Sequence, residues 1–146
     1  MIDKIKKALF ESYWSDEQKG IFLSWFDEQH DLIMSQWVLK SDLPLHELID
    51  TLTDEVDEEM KDVVFVAVDI VSEIIQLEST EDILSKDPLE YGFALIGEND
   101  TSGVILPWVE WVADAKHALH NVKKKYGIEG NVEVYVFRTQ RIVVSK

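Results

Sequence analysis

The stretch from Val63 to Val71 reads Val-Val-Phe-Val-Ala-Val-Asp-Ile-Val, and it limits the fold more than any other part of the chain. It is β-branched and apolar at odd and even positions alike, so strand alternation cannot turn one face to water. Such a run belongs in a strand that is covered on both sides. A chain containing it needs neighbouring strands and at least one packed layer, and the rest of the sequence supplies both.

Gly20 opens an apolar run, Ile21 to Phe26, and the polar tetrad Asp27-Glu28-Gln29-His30 separates it from a second run, Leu32 to Leu39. Two such runs around a short polar break predict a β-hairpin. Both of its strands are largely apolar on both faces, so one face meets the core and the other needs cover from a helix or a second chain. Ile2, Ile5, Leu9 and Tyr13 recur at three to four residues and predict a short amphipathic helix before the hairpin. After it, Ser41 and Asp42 are capping types, Pro44 suits a first helical turn, and Leu45, Leu48, Ile49, Leu52 and Val56 form one apolar stripe. The other side of that helix carries Glu47, Asp50, Asp54, Asp57 and Glu58, which read as a solvated face.

The second half repeats this order. Glu78 to Asp87 is polar, carries at most a short helical turn, and is ended by Asp87-Pro88. Tyr91 to Ile96 is a strand, Glu98 to Gly103 a turn, and Val104 to Leu106 a short return strand stopped by Pro107. Val112, Ala115, Leu119, Val122 and Tyr126 mark a helix, with Lys123 to Lys125 placed for its C-terminal dipole and Gly127 for its stop. Asn131 to Phe137 is a strong strand that Ile142 to Val144 extends or follows. Helix, strand, strand, helix, strand thus occurs twice, with the paired strands Ile21 and Tyr91, Leu32 and Val104, and Val63 and Val132 offset by about 70 residues. The expectation is an α+β fold in which two quasi-repeated α-β-β-α-β halves, an internal duplication, build one mainly antiparallel sheet with helices packed against it. Residues 1–146 are expected to form a single domain.

Charge narrows the function classes. Lys and Arg number 14 against 29 Asp and Glu, a formal charge of -15. That balance argues against nucleic acid, whose phosphates need cations, and against anionic membrane surfaces. It permits a basic partner. Cysteine is absent, which excludes disulfides, thiolate zinc sites and thiol nucleophiles. No signal-type apolar core follows the Met1 to Phe10 segment and no run reaches the length of a membrane span, so a cytoplasmic location is expected.

No residue pattern carries a recognisable reaction. Asp114, His117 and His120 sit three apart on a helix, a spacing that suits metal ligands, but the apolar stripe lies on the opposite side, so they are expected to point outward as surface residues. His30 in the hairpin break and His46 at a helix start have no nucleophile signature beside them. Asp69 and Glu73 could act as general acid and base, yet nothing supplies them a partner. The six glycines form no phosphate-cradling motif. No catalytic residue, metal or cofactor is therefore assigned. Five tryptophans exceed what the core requires: Trp25 and Trp37 belong to the hairpin, and Trp108 and Trp111 flank the start of the second-half helix. They either pack in the core or form an exposed aromatic patch for a partner or ligand, and the two-sided hairpin with Trp108 and Trp111 makes a homodimer possible.

Two segments, Asp87-Pro88-Leu89-Glu90-Tyr91-Gly92 and Ser102-Gly103-Val104-Ile105-Leu106-Pro107, resemble the AMMECR domain, which has an aspartate-proline-x-x-tyrosine-glycine start and a glycine-x-leucine-leucine-proline return. Tyr126-Gly127-Ile128 and the segment Val132 to Arg141 are similar to that domain's last strand, and Val68 to Ser72 to its middle one. The resemblance covers residues 62–141, and Gly20 to Ser24 looks like the family's entry strand. The family's hallmark hairpin strand, leucine-arginine-glycine-cysteine-isoleucine-glycine, corresponds to Leu32-Ile33-Met34-Ser35-Gln36-Trp37, in which only the leucine survives.

The resemblance implies an α+β fold with duplicated halves, and a pathway of unidentified modification chemistry suggested by the family's genomic company. The loss of both glycines, the arginine and the cysteine implies that the family's site is lost or changed, with Met34 and Trp37 filling its space and Ser35 lacking a base. The chain is therefore expected to be a non-catalytic binding or accessory module, with Leu32, Met34, Ser35, Trp37, Tyr91, Trp108 and Trp111 contacting an unknown protein or small molecule. The rival readings are a subunit of a modification enzyme with a pocket near Ser35 and Tyr91, and an acidic protein that occupies a basic partner's groove. A polar cleft at Ser35 would favour the enzyme, and Trp37 plugging it would favour the module.

Overall fold

The computed structural model describes residues 1–54, 56, 59–107 and 112–146, with residues 59 and 60 described by backbone alone. The elements run α1 (Ile2–Ser12), β1 (Ile21–Phe26), β2 (Leu32–Val38), α2 (Leu45–Thr53), a 3-10 turn at Glu59–Asp62, β3 (Phe65–Leu77), α3 (Thr80–Leu84), β4 (Gly92–Ile96), β5 (Ser102–Ile105), α4 (Ala115–Tyr126) and β6 (Glu133–Ser145). The six strands form one sheet in the order β2-β1-β3-β6-β4-β5, and the ladders β1 with β2, β1 with β3, β4 with β5 and β4 with β6 are antiparallel. The α+β class and the twice-run order of elements expected from the sequence are both present.

The chain divides into two compact units, one made of Met1–Val71 with Gln140–Lys146 and the other of Ser72–Thr139. In the first unit, β1 lies between β2 and β3. Its odd residues Ile21, Leu23 and Trp25 join Val66, Val68 and Ile70 of β3 in a core roofed by Ile5 and Leu9 of α1 and by Leu48 and Ile49 of α2. The stripe spacing read in the sequence is what turns those helix residues onto the sheet. Lys6 and Asp50 tie α1 to α2 at 2.5 Å. The hairpin turn places His30 at φ 67°, a left-handed conformation, and Asp27 Oδ1 accepts from the backbone N–H groups of Gln29 and Asp31, both at 2.9 Å.

In the second unit, Phe93 and Leu95 of β4 and Val134 and Val136 of β6 pack against Ala115, Ala118 and Val122 of α4. Asn99 and Asp100 both have positive φ, the conformation a tight hairpin turn demands, and both residue types tolerate it. Gly127 stops α4 at φ 64°, with its N–H donating to the Lys123 carbonyl.

Several boundaries differ from the sequence reading, β5 among them, which runs Ser102–Ile105 instead of Val104 to Leu106. Pro44 stands just before α2 as its N-cap instead of in the first turn. β3 runs on through Ser72-Glu73-Ile74-Ile75-Gln76-Leu77, where polar side chains in water concealed a strand, and β6 runs unbroken through the polar Arg138-Thr139-Gln140-Arg141. Pairing decides both: a strand with a hydrogen-bonded neighbour needs no apolar side chain at every step.

Candidate functional site

Because β1 spends its odd residues on the core, Phe22, Ser24 and Phe26 lie on the opposite face of the first unit's sheet. The registers set three rows across that face. Trp37, Phe22 and Asp69 form the first, Ser35, Ser24 and Ala67 the second, and Leu32, Phe26 and Phe65 the third. A bulge between Trp25 and Phe26 leaves Ile33 between the second and third rows.

Each row has its own chemistry. In the first, the Phe22 and Trp37 rings stack at 6.0 Å and 12°, and Asp69 is fully buried with its carboxylate gripped by Arg141 of β6, Nε to Oδ1 at 2.9 Å and Nη2 to Oδ2 at 3.0 Å. This is a planar two-bond fork, the strong form of the carboxylate pair. The second row holds two hydroxyls, Ser24 buried and Ser35 exposed. The third is aromatic: Phe26 stacks on Phe65 at 4.7 Å, and His30 meets the Phe65 edge at 5.3 Å. The face is buried along β1 and β3 and opens toward β2, where Leu32 is 52% exposed.

The sequence-derived site residues separate on this frame. Leu32, Ser35 and Trp37 share the open face. Met34 turns to the core face, opposite Trp25, and packs on the first cluster. Gln36 is on that core side too, donating to the Leu52 carbonyl at 2.6 Å and accepting from Trp25 Nε1 at 3.3 Å. Ser35 and Tyr91 belong to different units, and Trp108 and Trp111 lie outside the described residues. Asp69 and Glu73, considered as an acid and base pair, each meet an arginine instead, Glu73 at 3.8 Å from Arg138 Nε. Sequence reading did not single out Trp14, which follows α1 and is 79% exposed, because a lone aromatic after an amphipathic stripe carries no periodic signal.

Tyr91, in the second unit, holds Arg138. The guanidinium carbon sits 4.6 Å from the ring centroid, and Nη2 donates to Tyr91 Oη at 2.9 Å and to Glu90 Oε1 at 2.8 Å. Lys86 Nζ is 5.3 Å from the same ring. The other residues carrying the AMMECR resemblance in this unit do structural work. Asp87 Oδ1 accepts from Leu89 N and its carbonyl from Tyr91 N, both at 2.9 Å. Gly92 lies under the Phe137 ring and Gly103 under the Tyr126 ring, so closely that a Cβ would fall 2.4 Å and 2.3 Å from ring atoms.

His117 is half-buried, and its role is that of a cap. Asp114 Oδ1 accepts from His117 N at 2.8 Å while His117 Nδ1 accepts from Ala113 N at 3.1 Å, a reciprocal closure of the α4 start. A cavity of about 570 Å³ opens between α3, α4 and β6, lined by the apolar Ile83, Leu119 and Val134 and by the charged Glu78, Lys123 and Glu133. No helix of the described residues is long and apolar enough to cross a membrane.

No protein-family profile and no curated protein sequence matches the chain. Among solved structures it is similar to the uncharacterized protein PH0010 from Pyrococcus horikoshii, with a TM-score of 0.73 and 18% identity over 99% of this chain and 92% of that one. At that identity the likeness is one of fold.

Proposed function

We propose that the chain is a non-catalytic binding or accessory module of the AMMECR-like type, built by internal duplication and working in the cytosol. The observation that carries the reading is the arrangement of the first unit's open face. Trp37 runs nearly parallel to Phe22, with centroids 6.0 Å apart, where the family's strand has a glycine, and Ser35 presents an exposed hydroxyl opposite another serine. A serine nucleophile needs a base within hydrogen-bond reach and an orienting group behind it. In the same unit the Asp69 carboxylate is held by Arg141, and the His30 ring packs against Phe65. An aromatic platform beside hydroxyls and a fixed guanidinium suits recognition of a partner group by stacking and hydrogen bonding. The AMMECR-like segments Asp87 to Gly92, Ser102 to Pro107 and Val132 to Arg141 support the family assignment within this reading.

The test is a fluorophosphonate probe, which phosphonylates activated serines with loss of fluoride. The expected result is no labelling of Ser35 beyond that of a denatured control. Stoichiometric labelling at Ser35, abolished by Ser35→Ala, would overturn the proposal in favour of an enzyme.

A further inference from the structure

The cavity of the second unit is lined by that unit alone, from the end of β3, from α3 and α4, and from the start of β6. Its volume of about 570 Å³ is that of a small-ligand site, with room for roughly 20 waters by their share of the liquid. Ile83 and Val134 are buried members of the unit's core, and Leu119 packs against them, so the apolar wall stands without a ligand. No aromatic ring lines the cavity among the described residues, so the wall suits branched aliphatic groups rather than a flat ring. Leu119 and Lys123 lie one turn apart on the same side of α4. Gln76 and Glu78 come from the end of β3 and Thr80 from the start of α3. The Glu133 carboxylate belongs to the other face of the sheet. Val134 and Val136 take the core side, alternation turns Glu133 and Tyr135 away from it, and Tyr135 Oη donates to Glu133 Oε2 at 3.2 Å.

We infer that this cavity binds a short aliphatic peptide, a dipeptide in its zwitterionic form, with Glu78 taking the ammonium group and Lys123 the carboxylate. The two charged side chains left to the cavity are opposite in sign, and no ion pair among the described residues joins or neutralises them. Such a lining is complementary to a ligand that carries both signs. An aliphatic amine or acid would match one charge and leave the other facing its apolar body. A free amino acid carries both charges but leaves much of the volume to water. The Gln76 amide and the Thr80 hydroxyl can each donate and accept, which is what a peptide bond requires. The ligand's side chains then cover Ile83, Leu119 and Val134, and that burial is the main source of affinity. The site is separate from the open face of the first unit and stands or falls independently of it.

Calorimetric titration of the full chain at neutral pH, with leucyl-leucine as the probe, is the test. The expected dissociation constant is about 0.1 mM. N-acetyl-leucyl-leucine and leucyl-leucinamide each lack one charge and should bind about tenfold more weakly, the size of a hydrogen bond to a charged group. Leucine should bind more weakly still, and glycylglycine should give no heat. Lys123→Met should weaken leucyl-leucine about tenfold and leave the amide unchanged, while Glu78→Gln should weaken leucyl-leucine and leave the acetylated peptide unchanged. Both positions are exposed, and melting temperatures close to that of the unaltered chain would show that the variants fold. Amide shifts in heteronuclear NMR should centre on Ile83 and Leu119. No binding of leucyl-leucine at about 5 mM, equal affinity for the blocked peptides, tighter binding of leucine, affinity untouched by both substitutions, or shifts confined to the first unit overturns the inference.

Discussion

Arg141 holds Asp69 by two parallel hydrogen bonds of 2.9 and 3.0 Å, and the carboxylate it holds has no exposed surface at all. The pair bridges β3 and β6 within the first unit, so its removal is felt by the strand that centres the unit and by the one that completes it. Removing one partner leaves a desolvated charge behind. Arg141→Met is therefore expected to destabilise the protein by about 3 kcal/mol. The double change Asp69→Leu with Arg141→Met should recover most of that loss, because no buried charge then remains. Urea unfolding of the three proteins checks it, and equal instability of the single and double variants would contradict it.

Gly92 offers a steric test. An added Cβ would fall 2.4 Å from Phe137 Cζ and 2.8 Å from the Ile105 carbonyl oxygen, and Phe137 is fully buried. Gly92→Ala is expected to cost about 1–3 kcal/mol by forcing the ring out of its place. In a Phe137→Leu background the same substitution should cost less, since the colliding atom is gone. Denaturant midpoints of the four proteins in the cycle measure the coupling.

The alkaline limb of stability should report Tyr13. Burial pushes its phenol above the usual value, the Glu17 carboxylate adds to the shift, and its hydroxyl donates to Gln140. The folded state thus binds the phenolic proton more tightly than the unfolded chain does. Its contribution is fully present below the unfolded value of about 10 and is lost as pH rises through the higher folded one. Melting temperatures between roughly pH 8 and 11 should fall less steeply in Tyr13→Phe than in the unaltered chain.

The α4 cap gives a helix-level expectation. Asp114→Ala removes the acceptor for His117 N and should cost about 1 kcal/mol. Asp114→Asn, which keeps an acceptor oxygen, should cost less. Thermal unfolding of both variants at neutral pH distinguishes them.

The elements that could be read from the chain are those whose own side chains carry the pattern. The hairpin, the α1 and α2 stripes, the Gly127 stop and the twice-run order were all visible because burial imposes period and turns impose residue type. The far halves of β3 and β6 were not, because Glu73, Gln76, Arg138 and Gln140 owe their strand conformation to hydrogen bonds with neighbours far away in sequence. The candidate face was half legible. The sequence points to Ser35 and Trp37, but it groups Met34 with them although alternation turns it to the core, and the bulge shifts Leu32 by one step relative to simple counting. Arg141 passed as a residue of a resembling tail. Its partner Asp69 lies 72 positions earlier, a distance across which spacing conveys nothing.

The first unit is interrupted: residues 140–146 belong to it, while the 68 residues between Ser72 and Thr139 form the other one. On the ribosome, that intervening stretch is made whole and can close while its predecessor still waits. Until Arg141 emerges, Asp69 lacks the guanidinium that grips it in the finished interior, and Val64 lacks the Lys146 N–H that its carbonyl accepts at 2.8 Å. Vectorial synthesis would thus complete the later-born unit first, and a stalled or clipped product would expose the half-built hairpin layer to aggregation and quality control.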